Sequence, residues 1–148
     1  MVSPTNPAYR SSVPHQSAIE FRPNVPPSTS RRGADDAAGY YGMIKNIDYN
    51  VGSILTALKD MGIDRETYLM FFSDHGDMLG SHGMNGNSLP WEECVRIPFV
   101  VGMVGGNFSM KVGESDALLN HVDIAPTTLG LCGIDAPQNM VGYDYSRH

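Results

Sequence analysis

The feature that most constrains this chain is an apolar run that stops abruptly. Leu69-Met70-Phe71-Phe72 is apolar at every position, so it does not alternate as a half-solvated strand does. At Ser73 it gives way to a loop carrying Asp74, His75, Asp77 and His82, with Gly76, Gly80 and Gly83 between them. Open α/β sheets gather their ligand-binding groups outside the carboxyl ends of the strands. Asp74 and His75 stand at such an edge, which marks them as a candidate metal pair. Asp, Gly and Ser are also ordinary turn residues, so a plain strand followed by a polar turn is the competing reading.

Around that run, 148 residues make one domain's worth of chain, with 41% hydrophobic and 18% charged residues as in a globular protein. A net charge of -6 and the lack of a basic cluster argue against a nucleic-acid partner. No apolar run reaches the roughly 18 residues that a membrane-spanning helix needs, which argues against a membrane partner. Cys94 and Cys132 are too few for a disulfide framework and are expected to be free thiols.

Residues 1–36 read as an irregular Pro/Ser-rich segment, because prolines 4, 7, 14, 23, 26 and 27 each disfavour helix at the residue before. Residues 37–148 form the folded part. A helix is expected over 37–61, with Tyr40, Ile44, Ile47, Val51, Ile54, Leu55, Leu58 and Met61 along one stripe. Asp35 or Asp36 would cap its start and Gly62 would end it in a left-handed turn. A helix, a short loop and an apolar strand at 68–72 make half of a crossover unit, which points to a mostly parallel sheet flanked by helices. Beyond the Gly-rich loop come a short helix at 91–96, a strand at 97–103 and a further short strand at 108–112. A last helix is expected over 124–131 with Asp123 as its cap and Pro126 in its first turn.

Four motifs then resemble the type-I sulfatases. They are the helix from Tyr40 to Gly52 (YYGMIKNIDYNVG), the metal loop from Ser73 to Gly83 (SDHGDMLGSHG), the segment Trp91-Glu92-Glu93-Cys94-Val95-Arg96-Ile97-Pro98, and the helix start His121-Val122-Asp123-Ile124-Ala125-Pro126-Thr127. Their order and spacing fit the C-terminal portion of a sulfatase catalytic domain. The resemblance implies a partial alkaline-phosphatase-like α/β fold and hydrolysis of small-molecule or glycan sulfate esters. Some relatives with an Asp-His pair instead hydrolyse phosphonate monoesters or phosphodiesters.

The resemblance also implies one divalent cation held by Asp74, His75 and two further acids. Calcium is the family's usual metal, with manganese or magnesium as alternatives, and an imidazole ligand widens the choice toward softer cations. The family nucleophile is a formylglycine made within a C/S-x-P/A-x-R motif. Cys94 and Cys132 do not start that motif; Ser12-Val13-Pro14-His15-Gln16 lacks its Arg and Ser28-Thr29-Ser30-Arg31-Arg32 lacks its Pro. The chain is therefore expected to be a piece that lacks the N-terminal half of its catalytic domain, and that missing half would carry the nucleophile, the other acids and any localisation signal. A non-catalytic, vestigial protein is the reading from a different class.

Where many relatives carry a substrate-binding Lys, this chain has Asn87, an uncharged candidate for the same task. His82 is a candidate proton donor to the leaving group, beside a loop-stabilising alternative. Asp77 is expected to hydrogen-bond its loop, Glu92 and Glu93 to serve as first-turn helix acids with Arg96 pairing one of them, and His121 to be structural. A partial sheet should also leave an edge and some helix faces uncovered.

Overall fold

The computed structural model describes residues 22–26, 30–105 and 112–147. Its long helix α1 spans Ser30–Asp60. It starts seven residues before the expected Ala37, so Asp35 and Asp36 lie inside the helix and do not cap it. Its end is as the sequence implies: Gly62 takes φ 70°. The Gly62 amide then donates to the Lys59 carbonyl at 3.0 Å and the Ile63 amide to the Leu58 carbonyl at 3.1 Å. Those two bonds satisfy carbonyls that the last turn would otherwise leave unpaired.

A single turn at Asp64–Glu66 leads into β1, Tyr68–Phe72. β1 pairs with β2, Phe99–Met103, in register from Tyr68 opposite Met103 to Phe72 opposite Phe99. The pairing is antiparallel, which corrects the expected parallel arrangement for this strand pair. A parallel partner needs a crossover that carries the chain back to the strand's start. Residues 73–98 hold only the turn Ser81–Gly83 and the four-residue helix α2, Glu92–Val95, so the chain re-enters the sheet from the end it left. Two further bonds continue the ladder, Val104 to the Thr67 carbonyl and Gly105 to that of Asp64, each at 3.0 Å.

The C-terminal half of α1 lies over this strand pair, leaving a cleft of about 440 Å³ lined by Leu55, Lys59, Leu69, Val100 and Met103 among others. Burial of the apolar run is less complete than its composition suggests. Tyr68, Phe71 and Phe72 are exposed, as are Ile44, Ile47 and Ile54 on the α1 stripe. Exposure of this kind is what a partial sheet would leave, although Phe72 still stacks on Phe99 across the strand pair with ring centroids 6.0 Å apart. The expected strand at 108–112 falls outside the described residues except for Val112.

The last helix, α3, spans His121–Leu131. Its cap is Asn120, and Asp123 is the third helical residue of a reciprocal capping box, not the cap itself. Pro126 is accommodated within the helix. Asp123 and Thr127, both 3% exposed, then hold the C-terminal segment. The Tyr143 amide donates to Asp123 Oδ1 at 2.7 Å and the Tyr145 amide to Thr127 Oγ1 at 3.1 Å. No helix among the described residues is long and apolar enough to cross a membrane.

Candidate metal centre at the end of the first strand

Beyond Phe72 the backbone turns sharply and its polar groups are tied locally. Ser73 Oγ donates to the His75 carbonyl at 2.7 Å, and the His75 amide donates to Asp74 Oδ1 at 2.9 Å. The second bond engages one oxygen of Asp74 and leaves Oδ2 near the His75 ring. His75 Nδ1 lies 2.8 Å from the Gly76 carbonyl. A carbonyl only accepts, so Nδ1 carries a proton, and Nε2 faces the Asn87 amide nitrogen, which only donates, so Nε2 presents a lone pair. Nε2 and Asp74 Oδ2 are 3.6 Å apart, with the two side chains 49% and 84% exposed.

Two donor atoms at that separation, one a hard oxygen and one an imidazole nitrogen, can meet on a single cation. A backbone carbonyl on the far ring nitrogen is the usual way an imidazole ligand is oriented. The pair thus fits half of a cation site. Among the described residues no third His, Cys, Asp or Glu joins it, and a carboxylate–imidazole pair open to water would bind a cation weakly.

Packing beneath the loop sets its position. The Gly76 amide donates to the Cys94 carbonyl at 2.8 Å, so α2 lies directly against the loop. Asp77 Oδ1 accepts from the Leu79 amide at 2.8 Å, the loop-bonding role expected of it, and Leu79 is held at φ 45°. Met78 and Ser81 are fully buried. From the other side, His121 Nε2 donates to the Ser73 carbonyl at 3.1 Å. That contact joins α3 to the strand end across 48 positions of sequence, and no local spacing signals it.

The remaining candidates separate into two groups. Asn87 reaches His75, its amide nitrogen against Nε2, and so lies beside the Asp74–His75 pair. His82 does not share those partners. Its ring stacks on Trp91 with centroids 4.5 Å apart, and Nε2 lies 3.3 Å from Asn24 Nδ2 and 3.8 Å from Glu93 Oε1. The Asn24 amide also donates to Glu93 at 2.7 Å, and Arg22 donates to Ser81 Oγ at 3.2 Å. His82 is thereby clasped between residues 22–26 and α2, the loop-stabilising arrangement, at a left-handed φ of 55°. Glu93's own backbone amide, then Asn24, hold its carboxyl below the usual carboxylate range, with Ser81 and His82 adding to the effect. Asn24 was not foreseen as part of this cluster. Arg96 makes no ion pair with Glu92 or Glu93; only its amide bonds to the Glu92 carbonyl, at 2.9 Å.

Both cysteines are free, Cys94 buried and Cys132 exposed. Ser12 and Ser28, which start the two incomplete matches to the nucleophile motif, lie outside the described residues.

The Sulfatase family model matches residues 5–134. The chain is 31% identical over 131 residues to an ulvan-active sulfatase of Formosa agariphila, covering 87% of this chain and 25% of that protein. It is 34% identical over 132 residues to an endo-4-O-sulfatase of Bacteroides thetaiotaomicron, with coverage of 87% and 25%. A solved structure from Bacteroides thetaiotaomicron, described under the metabolism of multiple glycosaminoglycans, superposes with a TM-score of 0.79 at 31% identity. That likeness covers 94% of this chain and 28% of the solved one. The chain thus spans about a quarter of the length of the curated relatives it matches. It belongs to the sulfatase family and carries part of that family's alkaline-phosphatase-like α/β fold.

Proposed function

We propose that this chain supplies the carboxylate–imidazole half of a divalent-cation centre to a sulfate ester hydrolase acting on glycan sulfates. The nucleophile, a formylglycine, and the remaining acidic ligands would come from sequence beyond these residues. The observation that carries the reading is the state of His75. Its Nδ1 proton is committed to the Gly76 carbonyl, so Nε2, 3.6 Å from Asp74 Oδ2, keeps a lone pair, which here meets the Asn87 amide.

When bound, the cation supplies Lewis acidity toward the ester oxygens. This chain's own residues do the rest of the work described here. Asp74 offers the negative oxygen and His75 the neutral nitrogen, a mixed set that admits manganese as well as the calcium implied by the family resemblance. Ser73, Gly76 and His121 hold both side chains in place through the strand-end backbone. His82, clasped by Trp91, Asn24 and Glu93, keeps the far side of the loop in register. The relatives' names, with ulvan and 4-O-sulfate among them, support a sulfated glycan as substrate. Phosphonate monoester or phosphodiester hydrolysis is the second reading, favoured by the Asp74–His75 pair itself.

The test is a thermal melt with and without manganese or calcium. At about ten times the dissociation constant, binding to the folded state adds about 1.4 kcal/mol, a rise of roughly 2–6 °C. Asp74→Ala and His75→Ala should each erase that rise. An equal rise in the double variant would place the cation elsewhere and overturn the reading.

A further inference from the structure

We propose that Asn87 is a third protein ligand of the cation, through its side-chain carbonyl oxygen, reached by a half-turn of its amide. The proposal rests on Asp74 and His75 being a cation pair, and it adds a donor that neither the motif nor the comparisons assign.

The geometry starts at His75 Nε2. Because Nδ1 donates to the Gly76 carbonyl, Nε2 carries no hydrogen and can only accept. The Asn87 amide therefore turns its NH₂ group toward it. The lone pair that a cation would use is thus already met by Asn87, beside Asp74 Oδ2 at 3.6 Å from the same nitrogen.

A cation bound to Nε2 reverses the local electrostatics. It consumes the lone pair and sets a positive charge against the positive end of the amide dipole, so the NH₂ group must give way. The carbonyl oxygen and the NH₂ of an asparagine exchange places by rotation about the terminal torsion, which is broad and roughly two-fold. The same backbone position then presents a hard neutral oxygen, a normal ligand type for calcium and manganese.

Asn87 is also held where this requires. The preceding Gly86 sits at φ 81°, and its carbonyl accepts from the Met78 amide at 2.9 Å and faces Cys94 Sγ at 3.8 Å. Both Met78 and Cys94 are buried. The loop carrying Asn87 is therefore anchored to the floor of the site. No further His, Cys, Asp or Glu joins the pair among the described residues, and the Asn87 side chain is the one in hydrogen-bond contact with His75 Nε2.

The experiment is a manganese titration of the 148-residue chain, reading free Mn²⁺ by electron paramagnetic resonance and bound Mn²⁺ by its coupling to imidazole nitrogen. Asn87→Ala should weaken binding roughly tenfold or more while keeping the nitrogen coupling from His75. Asn87→Asp offers the oxygen with added charge and no NH₂, and should bind at least as tightly as the original chain. Alanine binding as tightly as asparagine, or more tightly, would show that the NH₂ only blocks the lone pair and would overturn the proposal. Aspartate as weak as alanine would reduce Asn87 to packing and overturn it too. Loss of the nitrogen coupling in His75→Ala keeps the underlying pair secure in either case. Unchanged binding and coupling in that variant would instead bring down the pair, and the proposal with it.

Discussion

Gly76→Ala is expected to destabilise the chain by about 3 kcal/mol and to abolish whatever cation binding the loop supports. A methyl at this position would fall inside the contact radius of the Glu93 carbonyl oxygen, and close to the carbonyl carbon as well. Those are backbone atoms of α2, so neither can swing aside. The strand-end loop and the helix must separate, which also strains the 2.8 Å bond from the Gly76 amide to the Cys94 carbonyl. The control has the opposite sign. Gly52 lies in α1 with nothing within 4 Å of an added methyl, so Gly52→Ala should stabilise by up to about 1 kcal/mol. Denaturant melts of the two variants check both. Equal and small effects would mean that the loop and α2 are not in contact.

Asp123→Ala is the second large effect, also about 3 kcal/mol. The carboxylate is 3% exposed and accepts from two backbone amides at 2.7 Å, Asn120 through Oδ2 and Tyr143 through Oδ1. Bonds to a charged acceptor are worth about 1.5–3 kcal/mol each, and alanine leaves both donors unsatisfied. The first donor closes the cap of α3, and the second fastens the C-terminal segment to it. Asp123→Asn, which keeps one acceptor oxygen, should cost about half as much. Hydrogen exchange at the Tyr143 amide should accelerate in the alanine variant well before global unfolding. Protection unchanged there would contradict the clasp.

The reach of the sequence is clearest where chemistry is local. Gly62 ends α1 because only a left-handed residue lets the last carbonyls find amides, and its position after the apolar stripe shows it. Asp74 and His75 could be picked out as a candidate pair because a strand end and two adjacent side chains of metal-ligating type coincide. The start of α1 was not legible, since residues 30–36 carry no apolar stripe to extend the period. Strand direction was not legible either. An apolar run reports burial, whereas direction depends on what the connection 73–98 does, and that segment is mostly irregular. At α3, Asn120 and Asp123 both suit a cap, and only the reciprocal bonds separate the cap from its partner. The contacts of Asn87 with His75, of His121 with Ser73 and of His82 with Asn24 join distant positions through loops, beyond any periodic signal.

The most direct measurement of the central claim is the nitrogen chemical shift of each histidine ring, recorded before and after a diamagnetic cation such as cadmium or zinc is added. His75 is expected to carry hydrogen on Nδ1 and none on Nε2, and its Nε2 resonance should move on addition, with those of His82 and His121 unchanged. A His75 ring protonated on Nε2, or a cation shift that appears at His82 or His121 instead, would contradict Asp74 and His75 as the cation pair.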